Sequence, residues 1–235
     1  MNRRALEHIL RAASAVADER EFVVIGSQAV LGQFPSAPDS LLVSIEAEIY
    51  PRHAPQKSDL IDGAIGELSR FHETFGYYAH GVDDTTATLP PGWPERLVPI
   101  ENASTGGAIG WCLEVHDLAV SKLVAGRDRD MVYLSVLLKE HMVDSTLLGA
   151  RLETLPLPPD HLRILRERLG RLVAASAQRI AYRPRTFAFT SSNQPRIRLM
   201  GVTGERVGTG VTSAARTPPS PRRGTAGPGQ RPSTK

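Results

Sequence analysis

With 41% hydrophobic and 23% charged residues, a chain of 235 residues has the ordinary composition of a globular protein and enough length for one sizeable core, or a core with a helical appendage. No apolar run approaches the roughly 18 residues of a membrane-spanning helix, and Glu7, His8 and Arg11 break up any N-terminal signal segment, so no membrane partner is expected. The net charge of +3 is unevenly placed: from Ala181 onward there are ten Lys or Arg and one acid, Glu205, leaving 18 bases against 24 acids before it, a net of −6.

The first predicted element is a helix, since Leu6, Ile9, Leu10, Ala13 and Val16 fall on one stripe. Residues 22–25 form a short apolar strand that ends at Gly26, and a short helical segment over 27–33 stops before Pro35. Residues 41–50, rich in apolar and β-branched side chains, predict a second strand closed by Pro51. Leu60, Ile61, Ala64, Ile65 and Leu68 recur at helical spacing and predict one helix over 57–72. Strands are expected at 77–82 and 96–100, around a turn rich in proline. A further strand over 111–115 leads into a helix over 116–125, and another helix follows over 128–141. The last element, 160–178, sets Leu162, Leu165, Leu169, Leu172 and Val173 on one face and four arginines on the other.

Beyond it the chain mixes Arg with Ser, Thr, Gly and Pro, a composition that buries too little apolar surface to offset its ordering entropy. We expect three parts: a core domain over 1–142, a helical extension over 143–180 and a disordered basic tail over 181–235. That tail is either a solvated extension or an electrostatic arm for RNA or anionic surfaces. Cys112 is the only cysteine, so an intramolecular disulfide is impossible and a reducing, cytoplasmic location fits. Its neighbours Trp111 and Leu113 make it a buried strand residue rather than a reactive thiol. The seven histidines show no paired helical spacing, which leaves a zinc site without ligands.

Three segments carry possible chemistry. Gly26 and Ser27 follow an apolar strand, where a glycine and a small hydroxyl let backbone N–H groups approach a phosphate. Equally, Gly26 ends the strand and Ser27 caps the helix. Glu46 and Glu48 are two apart on a strand and project to the same face, with Ile45, Ala47 and Ile49 on the other. Such a pair is either the polar face of an alternating strand or a site for a divalent cation between two repelling carboxylates. Lys122 lies in an otherwise apolar helix, where it either snorkels to solvent or meets an anion. Asp117 reads as the N-cap of that helix and Asp128 as the cap of the next, leaving Arg127 and Asp130 free for other partners.

In this order the segments resemble the nucleotidyltransferase superfamily, and within it the bacterial nucleotidyltransferase-like proteins related to abortive-infection toxins of toxin–antitoxin systems. The likeness rests on Gly26-Ser27 after a strand, on Ser44-Ile45-Glu46-Ala47-Glu48, and on Lys122 followed by Gly126-Arg127-Asp128-Arg129-Asp130, and it covers roughly residues 5–145. It implies a small mixed α/β (α+β) sheet flanked by helices, with C-terminal helices after it. It also implies magnesium on Glu46 and Glu48, an NTP held by Gly26, Ser27, Lys122, Arg127 and Asp130, an RNA or protein acceptor and a cognate antitoxin. Both metal positions carry Glu where the family pattern has Asp, and a third acid falls to Glu101 or Glu114. Two readings follow: an enzyme transferring an NMP group, or a catalytically silent binding or regulatory module.

Overall fold

The computed structural model describes residues 1–181; residues 182–235 of the expected basic tail lie outside them. Helix α1 (Arg3–Ala17) starts where the Asn2 side chain accepts the Ala5 N–H at 3.0 Å, and its apolar stripe is buried from Leu6 to Ala17. Strand β1 (Glu21–Val24) follows. After it come β2 (Glu46–Pro51), α2 (Ser58–Ile65), α3 (Arg70–Phe75), β3 (Tyr78–Gly81), β4 (Val98–Ile100) and β5 (Ile109–Cys112). Helices α4 (Val115–Ala125), α5 (Asp128–Lys139), α6 (Ser145–Glu153) and α7 (Pro159–Ala181) complete the described chain.

The strands form one mixed sheet in the order β3-β2-β1-β5-β4. β1 runs antiparallel to β2 and parallel to β5, β2 runs parallel to β3, and β4 runs antiparallel to β5. This is the mixed sheet flanked by helices that the family resemblance implies. Helices α1 and α2 pack across β2 and β3, while α4 packs on the turn after β1 and on α5, α6 and α7. Leu148, Leu152, Leu165 and Leu169 of the last two helices join the same apolar core as Leu6, Phe22 and Ile49.

Three expected elements differ most. The strand expected over 111–115 is Ile109–Cys112, and Val115 already opens α4. The strand expected over 41–50 starts only at Glu46: residues Asp39–Leu41 wind a 3₁₀ turn, and the Ser44 hydroxyl bonds the Glu46 backbone. Ile45 therefore lies before the strand and is half exposed instead of facing the core with Ala47 and Ile49. The single helix expected over 57–72 is two. Gly66 is extended after α2, Leu68 turns left-handed at φ 61° with 82% exposure, and Ser69 caps α3. Periodicity had counted Leu60 and Leu68 toward the buried stripe; both are exposed.

Candidate functional site

The antiparallel pairing of β1 with β2 brings the end of one strand beside the acids of the other. Ala47 and Ile49 are fully buried, so Glu46 and Glu48 point together to the opposite face. The Ile25 N–H donates to the Glu48 carbonyl at 3.1 Å, which places Gly26 directly against the Glu48 side chain. A Cβ at Gly26 would stand 2.6 Å from Glu48 Oε2 and 2.9 Å from Glu48 Cβ, and the latter cannot swing aside as the carboxylate can. The glycine is thus required by the Glu48 side chain beside it. The following segment, Ser27–Gly32, is a six-residue 3₁₀ turn rather than a regular helix, and Gly26 holds its N-cap position, so Ser27 is not the cap.

Lys122 reaches this junction from α4. Its ammonium donates to Ser27 Oγ at 2.9 Å and to Asp130 Oδ1 at 3.3 Å, and it stands 4.5 Å over the centre of the Tyr133 ring. It does not snorkel. Burial pushes its pKa down, and the nearby Asp130 and Glu48 carboxylates push back. Tyr133 closes the arrangement by donating its hydroxyl to the Ser27 carbonyl at 2.7 Å. The approach of Lys122 to Asp130 depends on Gly126, which ends α4 in the left-handed conformation at φ 64° and turns the chain back into α5.

The expected caps are corrected here. Glu114, not Asp117, caps α4 by accepting the His116 N–H at 3.1 Å. Asp117 is fully buried in the first turn, where it accepts hydrogen bonds from Arg96 at 2.8 Å and from Arg151 at 2.9 Å. Arg127, not Asp128, stands at the N-cap of α5, and Asp130 accepts its N–H at 3.3 Å. Asp130 is therefore committed to Lys122 and Arg127, where the sequence left it free. Glu114 is also spent: burial raises its pKa, but hydrogen bonds from His116 and Arg151 outweigh that and hold it at about 2. Neither Glu114 nor Glu101 lines the cavity described next.

That cavity has a volume of about 700 Å³, and all seven residues singled out in the sequence line it. Gly26 and Ser27 come from the turn after β1, Glu46 and Glu48 from β2, Lys122 from α4, and Arg127 and Asp130 from the start of α5. Sequence reasoning missed Arg129 and Tyr133 on α5 and Tyr78 on β3, which also line it. Arg129 was legible in the Gly-Arg-x-x-Asp stretch; the two tyrosines enter through pairings distant in sequence. Among the described residues the lining holds three bases, Lys122, Arg127 and Arg129, and three acids, Glu46, Glu48 and Asp130.

With Asp130 engaged, Glu46 and Glu48 are the acids available to a divalent cation. Two carboxylates suit magnesium when phosphate and water oxygens complete its coordination. Among the described residues no group of three or more His, Cys, Asp or Glu is placed to hold a metal ion by itself. A cation on Glu46 and Glu48 would need phosphate and water oxygens to complete its coordination, and the bases of α4 and α5 would meet the remaining phosphate charge.

A family model described as a nucleotidyltransferase of unknown function (DUF6036) matches residues 4–154. No curated protein and no solved structure matches the chain.

Proposed function

This chain belongs to that nucleotidyltransferase family, and on this premise we propose that it is a metal-dependent enzyme moving an NMP group from an NTP to a hydroxyl of an RNA or protein acceptor. The observation that carries the reading is the single cavity shared by the Gly26-Ser27 junction, the Glu46/Glu48 pair and the cations of α4 and α5. In this reading Glu46 and Glu48 hold magnesium, which when bound polarises the phosphates of the nucleotide and helps orient the attacking hydroxyl. The Gly26-Ser27 backbone lies beside the phosphates, and Lys122 with Arg127 counters the charge that develops on the leaving pyrophosphate. Asp130 keeps Lys122 aimed at Ser27 before any nucleotide arrives.

The test is thermal. Magnesium with a mixture of the four NTPs should raise the melting temperature of the wild type, because a ligand at 100 times its Kd adds about 2.7 kcal/mol of stability. Glu46→Gln and Glu48→Gln should keep the fold and lose the rise. No rise in the wild type with any NTP would sink the proposal.

A second reading, the catalytically silent binding or regulatory module, is favoured by one specific observation. Both acids are glutamates, and the third acid of the cavity, Asp130, is already engaged by Lys122 and the Arg127 N–H. The cellular setting we propose from the motif resemblance is a toxin of a toxin–antitoxin pair in the cytoplasm, held by a cognate antitoxin.

A further inference from the structure

Glu46 has a partner that belongs to none of the three motifs. In the parallel register of β2 and β3, Tyr78 stands directly opposite Glu46, and its hydroxyl donates to Glu46 Oε2 at 3.1 Å. Tyr78 lines the cavity, yet it is only 8% exposed. Among the described residues Glu48 has no such neighbour, and the residue opposite it on β3 is His80, which is exposed.

The Tyr78 ring is itself held. The His72 ring lies against it with centroids 4.7 Å apart, and His72 Nδ1 accepts the Leu68 N–H at 3.1 Å. That last bond is made from a left-handed leucine that is 82% exposed, an unfavoured conformation that gains nothing from packing. Outliers of this kind persist when the surrounding structure imposes them, and here the turn between α2 and α3 delivers His72 to Tyr78.

We infer that Tyr78, backed by His72, is a positioning residue for Glu46 in divalent-cation binding. As a neutral hydrogen-bond donor, it orients Glu46 without adding charge to the glutamate pair. The inference rests on the metal-dependent reading given above. Tyr78 ties up one carboxylate oxygen and fixes the side chain, while the other oxygen, Oε1, accepts no hydrogen bond among the described residues.

Removing a residue that orients a metal ligand typically weakens metal binding by about 10- to 100-fold. The experiment titrates magnesium into wild type, Tyr78→Phe and His72→Ala at a fixed mixture of the four NTPs, following the melting temperature. It then splits KM for magnesium from kcat for pyrophosphate release. Tyr78→Phe should raise the magnesium midpoint by about 10- to 100-fold, with KM rising and kcat nearly unchanged, and His72→Ala should move both in the same direction by less. A Tyr78→Phe midpoint equal to the wild type's overturns the inference, even if the apo protein melts lower, because Tyr78 then only packs. Should Tyr78→Phe fail to fold, His72→Ala decides, and an unmoved midpoint there overturns it equally. A wild type with no magnesium response overturns the metal-dependent reading itself, a failure that is distinct because it appears before any variant is made.

Discussion

Replacing Lys122 by methionine deletes one charge from the cavity while keeping the length and apolar character of the side chain. The Lys122 and Asp130 side chains are 12% and 5% exposed, so the change strands a buried carboxylate. Breaking a buried pair in this way costs about 3–5 kcal/mol. Losing the contact with the Tyr133 ring adds roughly 0.5–2 kcal/mol. Two effects act against this. Asp130 keeps its hydrogen bond from the Arg127 N–H, and the burial that depresses the Lys122 pKa is relieved. We expect a net loss near the low end, about 3 kcal/mol, which for a domain of this size lowers the melting temperature by about 6–12 °C. The assay is a thermal melt at neutral pH of wild type, Lys122→Met, Asp130→Asn and the double variant. The double variant should recover part of the loss, because the two side chains form one unit. A Lys122→Met protein as stable as the wild type, or more so, would refute the pairing and leave Lys122 as an unpartnered cation awaiting its ligand.

Gly26→Ala should destabilise by about 1–3 kcal/mol, the usual cost of overpacking, and should lose the magnesium–NTP response as Glu48 is displaced; adding Glu48→Ala should restore part of the stability but not the response, as read by melts of both variants. Asp117→Ala should cost about 1–3 kcal/mol in chemical denaturation, because half-buried Arg96 and Arg151 lose their shared carboxylate, though Arg151 keeps Glu114 and Arg96 keeps backbone carbonyls. The Glu114 pKa is depressed to about 2, so its contribution is complete above the ordinary glutamate value near 4.5 and fades as pH falls through about 2. The melting difference between wild type and Glu114→Gln should accordingly shrink across that window, and a difference independent of pH would contradict the sign. Leu68→Gly should leave stability unchanged or raise it by up to about 1 kcal/mol, since glycine adopts the left-handed turn without strain.

Elements with strong local signals were legible in the sequence. The stripe from Leu6 to Ala13, the apolar run ending at Gly26 and the Lys122 helix all lie where their periodicity put them. The seven candidate residues share a cavity because the turn after β1, the first half of β2, the last turn of α4 and the first turn of α5 meet at one place. What periodicity could not supply were events set by distant partners. Asp117 looks like a cap until Arg96 and Arg151, 21 and 34 residues away, draw it into the interior. Nothing local marks Tyr78; only the parallel pairing of β2 with β3 brings it, 32 residues away in sequence, within reach of Glu46. The break between α2 and α3 needed Leu68 in a conformation that its own propensity disfavours.

The measurement that reaches the central claim most directly is transfer of an α-³²P label from each of the four NTPs, with and without magnesium, into total RNA, total protein or the chain itself. An active nucleotidyltransferase should give magnesium-dependent label in one of these acceptors, with pyrophosphate released in equal amount, and Glu48→Gln should abolish it. Magnesium-dependent nucleotide binding with no label in any acceptor would contradict the enzyme and leave the silent binding module in its place.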